Sequence, residues 1–178
     1  MKAATSRPVH SLARVLSGLA CVLMVGACAA DEGPGFTTGP TMKPGDNCRR
    51  CHGSVNSDFP DAPEWTAAGT VFPGPDSPVT DGVPFVRVIL SDPDGGVIES
   101  LLTNSVGNFF TDTPLPADFR VALEYEGERI EMPCAPPSGG CAACHSQPPI
   151  GNAPGRLYLP QAPEAADLNP ECQGFDPL

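Results

Sequence analysis

The sequence predicts a mainly β fold, a sandwich of about six or seven short strands flanked by short irregular or helical segments. Three observations carry this. Between residues 66 and 133, apolar β-formers alternate with polar residues at a period of two. Turn signals made of Gly, Pro, Asp and Asn interrupt that pattern at regular intervals. The 178 residues include 23 Pro and 19 Gly, which favours short strands and turns over long helices.

Taken in order, strands are expected at Ala68–Pro73, Pro84–Ser91, Val97–Thr103, Asn108–Thr113, Phe119–Tyr125 and Glu128–Met132. Phe85, Val86, Val88 and Leu90 supply the apolar positions of the second. In the fifth, Phe119, Val121, Leu123 and Tyr125 alternate on one face. Asp92-Pro93-Asp94-Gly95-Gly96 reads as a hairpin turn. Its two aspartates could suggest calcium, but the intervening Pro and the following glycines favour a plain turn. Asn104–Gly107 is the next turn. Phe109 and Phe110 are adjacent in a strand and must point to opposite faces. Trp65, at the start of the module, is expected to be a packing residue. In an up-and-down order, six strands return the chain to the end where it began, so both flanks emerge together.

The run GGVIESLLTNSVGNFFT carries a Thr-x-x-x-Gly-x-Phe turn at Thr103, Gly107 and Phe109. It resembles the carboxypeptidase-regulatory-like and related Ig-like modules. The resemblance implies an Ig-like sandwich acting as a scaffold, not a catalyst.

The flanks carry the chemistry. Cys48-Arg49-Arg50-Cys51-His52 precedes the module and Cys141-Ala142-Ala143-Cys144-His145 follows it. Cys-x-x-Cys-His is the attachment pattern for c-type haem. Two intervening residues let one turn of backbone present both sulfurs to the vinyl edge of a porphyrin. The next residue offers its imidazole to the iron. Cys48 and Cys51 would hold one haem with His52 on iron, and Cys141 and Cys144 a second with His145. Zinc would need four converging ligands and leaves the histidines without a purpose. A thioredoxin-like pair expects a βαβ context. A disulfide within each motif is geometrically strained.

On these motifs the chain resembles the multihaem and dihaem c-type cytochromes of exported bacterial proteins. The resemblance covers the two short flanks alone. Beyond the proximal pair, the only other histidine is His10. It lies in the export segment, so bis-histidine ligation within one chain is excluded. Met132 and Met42 are the candidate distal ligands, Met132 the better of the two, with Lys43 as an outside possibility. His/Met ligation raises the reduction potential relative to His/His.

The N-terminus carries Lys2, Arg7 and Arg14, then the apolar run VLSGLACVLMVGA. This reads as a secretory signal, too short for a comfortable membrane span. Val25-Gly26-Ala27-Cys28 resembles the lipobox of bacterial lipoproteins. That resemblance implies a lipid on Cys28. Ala29, in place of Asp, leans toward the outer membrane. Of eight cysteines, Cys21 leaves with the signal, Cys28 takes lipid and four attach haem. Cys134 and Cys172 remain, and in an exported protein they pair most simply as a disulfide.

The domain reading is 1–27 signal peptide, 28–43 flexible tether, 44–65 first haem segment, 66–133 β-module, and 134–178 second haem segment with a proline-rich tail. In that tail Arg156 is either a partner for a haem propionate or a surface arginine. The formal net charge is −11 and three of the ten basic residues lie before Cys28. Such a chain repels nucleic acid and suits basic partners. The expected function is a membrane-anchored dihaem cytochrome passing electrons between redox proteins of the cell envelope, facing the periplasm or cell surface. It is not expected to be an enzyme. The alternatives are a haem-based small-ligand sensor, a surface-binding lipoprotein and a haem-free lipoprotein stabilised by disulfides.

Overall fold

The computed structural model describes residues 38–53 and 59–160, all within one compact unit. The signal segment, Cys28, most of the tether and Cys172 lie outside the described residues. No helix among those described is long and apolar enough to cross a membrane.

The fold is mainly β, with six antiparallel strands in two sheets. These are β1 (Ala67–Thr70), β2 (Arg87–Ser91), β3 (Val97–Leu102), β4 (Asn108–Thr111), β5 (Arg120–Tyr125) and β6 (Glu128–Glu131). A one-turn helix, α1 (Arg49–His52), precedes them, and a 3-10 turn at Cys141–Ala143 follows.

All six expected strands form with shifted ends, and the two largest shifts, in β1 and β2, have local reasons. β1 ends at Thr70 because Val71 and Phe72 leave β4 for other partners. Val71 donates its N–H to Gly107 O at 2.9 Å and accepts from Val83 N at 2.8 Å. Phe72 makes a parallel bridge to Tyr158. β2 begins at Arg87 because Phe85 has φ +62°, a left-handed backbone that cannot continue a strand. The Phe85 ring is 73% exposed and is not the core residue its place in the pattern suggested.

The strand order is not up-and-down. One sheet runs β3-β2-β5-β6, and β1 pairs with β4 in a separate two-stranded ribbon. β2–β3 is the expected hairpin. Asp92 Oδ1 accepts from Gly96 N at 2.7 Å, and Gly95 donates to Asp92 O at 3.1 Å. That carboxylate is therefore engaged in the turn. After β3 the chain is turned out of its sheet. Thr103 Oγ1 accepts from Val86 N at 2.9 Å and donates to Val83 O at 2.7 Å. Gly107 has φ +79°, and a Cβ there would meet Val71 O at 2.6 Å. The Thr-x-x-x-Gly-x-Phe stretch is thus the corner that carries the chain from one sheet to the other.

Between the sheets lies one core. Ala67, Val71 and Phe109 from the ribbon side meet Val88, Leu90, Val121 and Leu123 from the larger sheet. Val88 pairs with Leu123 and Leu90 with Val121, so β2 and β5 present a continuous apolar face. The flanks add to this same core: Cys141, Leu157 and Leu159 pack against it, and Tyr158 is buried.

Candidate functional site

The two Cys-x-x-Cys-His segments fold into the same hydrogen-bonded turn. In the first, Arg50 N donates to Asn47 O at 3.0 Å, Cys51 N to Cys48 O at 3.1 Å and His52 N to Cys48 O at 2.9 Å. In the second, Ala143 N donates to Gly140 O at 2.9 Å, Cys144 N to Cys141 O at 3.2 Å and His145 N to Cys141 O at 2.9 Å. Position for position, the pattern repeats across 93 residues of sequence. All four cysteines are free thiols.

Both histidines have their tautomer set by a backbone carbonyl. His52 Nδ1 lies 2.7 Å from Pro63 O, and His145 Nδ1 lies 3.1 Å from Gly155 O. A carbonyl can only accept, so the neutral ring donates from Nδ1 and its Nε2 keeps the lone pair. That is the state in which an imidazole binds a metal. Burial lowers the His145 pKa, with the Gly155 bond opposing it, so the neutral ring is favoured.

Residues 63–65 clamp the first turn. Pro63 O holds the His52 ring. Trp65 N donates to His52 O at 2.8 Å, and Arg49 Nε donates to Trp65 O at 2.9 Å. The Trp65 indole stacks on His52 at 5.4 Å between centroids and on Phe110 of β4 at 4.6 Å. Phe109 enters the core and Phe110 faces the first motif, as adjacent strand residues must.

The second turn opens onto a cavity of about 730 Å³. This lies within the roughly 300–1,000 Å³ range of ligand and cofactor sites. Cys141, Cys144 and His145 line it together with Met132. Apolar wall comes from Val121 and Leu123 of β5, Ile130 of β6, and Leu157. Met132 is placed there by the sheet, since its N–H bonds Val121 O at 2.9 Å just beyond β6. Arg156 also lines the cavity and is only 9% exposed, so it is not a surface arginine. Cys48, Cys51 and His52 do not line this cavity.

Met42 lies apart from that cavity, on the first-motif side. Its N–H closes a turn to Gly39 O at 3.1 Å, and its carbonyl accepts from Asn108 Nδ2 at 2.9 Å. Lys43, in the same lead-in, has φ +40°. Cys134 is disulfide-bonded, and its expected partner Cys172 lies outside the described residues.

The two turns adjoin. Residues 139–140 run alongside β1, with Ala68 N donating to Gly139 O at 2.8 Å and Ala68 bridging Gly140 in parallel. A Cβ on Gly140 would lie 2.9 Å from Asn47 Oδ1 and 3.6 Å from Arg49 Cβ. Asn47 Oδ1 is itself buried with no hydrogen-bond partner. Gly69 leaves the space that Cys141 and the Phe109 ring occupy, each 3.0 Å from where its Cβ would stand. The neighbourhood of the motifs thus arises from the edge of β1, not from strand parity.

Burial favours the protonated form of Cys48, Cys141 and Cys144. Burial pushes Cys141 from 9.0 up to about 12, with Cys48 and Cys144 adding to the rise. Burial also raises Cys48 and Cys144. Thiol–disulfide catalysts work the opposite way, by lowering the pKa. Among the described residues, no group of three or more His, Cys, Asp or Glu converges as a metal-binding cluster.

Some participants carried no sequence signal. Pro63 O and Gly155 O act through the backbone, which any residue supplies. Gly139 and Gly140 matter through absent side chains. No family model matches the chain, nor does any curated protein or solved structure.

Proposed function

We propose that the chain carries two covalently attached c-type haems and moves electrons at the bacterial cell envelope as a membrane-anchored, exported cytochrome. The observation that carries this reading is the repeated turn. Twice, two free thiols and an imidazole are set on one turn of backbone, with Nδ1–H tied to a carbonyl so that Nε2 carries the lone pair. The same donors suit neither a closed zinc site, which wants four converging ligands, nor a thiol catalyst, which wants an acidic thiol.

Cys48 and Cys51 hold one group and His52 offers Nε2 to its iron. Cys141, Cys144 and His145 do the same for the second. When bound, haem supplies one-electron redox chemistry that amino-acid side chains do not. The chain positions that group, sets its polarity and limits its contact with water. Val121, Leu123, Ile130 and Leu157 give the second site an apolar wall, which fits the faces of a porphyrin. Met132 lines that cavity, and its thioether makes it the candidate distal ligand there. Met42 is the candidate for the first site. The β-module serves as the frame between the two sites. Its Thr103–Phe109 corner supports the Ig-like, carboxypeptidase-regulatory-like assignment. Cys28 would carry the lipid that ties the protein to the outer membrane, and the acidic surface suits basic redox partners.

The test is production in a bacterium equipped for c-type haem attachment. The expected result is haem staining on a denaturing gel and an intact mass carrying two haems. Cys141→Ala with Cys144→Ala leaves one, and Cys48→Ala with Cys51→Ala leaves the other. A wild-type chain that stays haem-free under those conditions refutes the reading. In the loaded protein, Met132→Ala abolishes the far-red methionine–iron charge-transfer band of one haem; an unchanged band excludes Met132 as ligand.

A further inference from the structure

Arg156 is a buried cation with no carboxylate partner among the described residues. It is 9% exposed, and no carboxylate among the described residues lies within ion-pair distance of it. Its Nε donates to Ser77 O at 2.7 Å, and its guanidinium lies over the Phe72 ring at 4.6 Å from the centroid. Its backbone N–H bonds Pro75 O at 3.0 Å. A guanidinium keeps its charge at any ordinary pH and has five N–H donors. One carbonyl and one ring face do not replace what water gave it. Burying an uncompensated charge costs several kcal/mol.

The surroundings say where the anion enters. Arg156 lines the same cavity as Cys141, Cys144 and His145. The other acidic or basic side chains there are Glu131 and His145. Glu131 is already engaged by Arg129 Nη2 at 3.3 Å, and His145 is oriented by Gly155 O. Among the described residues that line that space, Arg156 is the one Arg or Lys. The guanidinium abuts Gly45, three residues before Cys48. A Cβ on Gly45 would stand 2.5 Å from Nη1, so the glycine makes the room Arg156 occupies.

We propose that Arg156 is the anchor for a carboxylate of the porphyrin held by Cys141 and Cys144, and that it draws that carboxylate toward the lead-in to the first motif. This rests on the haem reading above and adds the group that orients the ring. A porphyrin fixed by thiols at its vinyl edge carries two carboxylates on the opposite edge, and among the described residues Arg156 is the one buried guanidinium. Arg156 is a positioning residue in this role, since it acts on the rim of the ring and not on the iron.

The experiment uses the full chain produced without haem, titrated with iron mesoporphyrin and, separately, with its dimethyl ester. Mesoporphyrin has ethyl groups in place of vinyls, so the thiols have nothing to add to. Arg156→Met weakens binding of the diacid by about ten- to a hundredfold, the range of a lost charge-assisted hydrogen bond. It leaves the ester within about twofold of wild type, and Arg156→Lys recovers part of the loss. Retained ester binding also reports that the variant is folded. If Arg156→Met weakens both porphyrins equally, or neither, the anchor proposal fails and the haem reading stands. If neither porphyrin binds the wild-type chain, both fail together.

Discussion

Replacing Gly139 by Ala tests the junction between the two motifs with a single methyl group. The added Cβ would stand 1.8 Å from Thr66 O and 2.8 Å from Ala67 Cα, both backbone atoms that no rotamer change can move. Residues 139–140 must therefore back away from β1 by more than about 1 Å to reach ordinary contact distance. The bond from Ala68 N to Gly139 O, now 2.8 Å, then breaks, and Ala68 is 1% exposed. A buried N–H left without a partner costs about 1–3 kcal/mol, and forcing a methyl into packed space costs about 1–3 kcal/mol more. The two share one displacement, so a total of about 3 kcal/mol is expected. Urea unfolding of the haem-free chain measures it. With a slope of roughly 1–3 kcal/mol/M, the midpoint falls by at least about 1 M. Gly74→Ala is the control, because its Cβ would meet only Ser77 Oγ at 3.7 Å. It should stay within about 0.5 kcal/mol of wild type. If Gly139→Ala unfolds at the control's midpoint, residues 139–140 do not lie against β1 and the junction between the two turns is wrong.

Three further outcomes follow from the same geometry. Burial holds His145 neutral in the folded chain, while the unfolded chain takes up a proton near pH 6.5. The unfolded state then binds more protons, so stability falls as pH drops below about 6.5, and His145→Gln flattens that slope in urea midpoints taken from pH 5 to 7.5. Cys141 works in the other direction. Its folded pKa is raised from 9.0 to about 12, so stability is intact below pH 9 and is lost as pH rises toward 12. The ceiling is about 4 kcal/mol, lowered by the partial openness of the residue to solvent. Comparison with Cys141→Ala isolates it, and the loss disappears in haem-loaded protein, where a thioether sulfur has no proton to release. Trp65→Ala removes two ring stacks from a half-buried position and should cost about 2 kcal/mol by thermal or urea unfolding. A change under about 0.5 kcal/mol would mean that the indole does not clamp the first turn.

Local pattern announced the strands, the Asp92–Gly96 hairpin, the corner at Thr103–Gly107 and both Cys-x-x-Cys-His turns, because each is a matter of nearest neighbours in sequence. Pairing beyond the β2–β3 hairpin was not legible. β1 joins β4 across more than 35 residues, and period-two alternation tells which face of a strand is apolar but not which strand lies beside it. Phe85 read as core by its place in the pattern, yet a left-handed backbone turns its ring outward. Met132 was legible as a candidate ligand by elimination, and its place in the cavity comes from the register of β6 on β5. Arg156 gave two readings in sequence, and only the packing of Phe72 and Ser77 around it separates a buried cation from a surface one. The carbonyls of Pro63 and Gly155 were invisible, since every residue carries one.

β1 touches the lead-ins to both motifs. Thr70 Oγ1 accepts from Gly45 N at 2.8 Å and donates to Asn108 Oδ1 at 2.7 Å, while two residues earlier Ala68 holds Gly139 O. Four residues of strand therefore sit between two turns that are 93 residues apart along the chain. β1 is thus a common splint: a displacement of its four residues is handed to the lead-ins of both turns at once, through Thr70 on one side and Ala68 on the other.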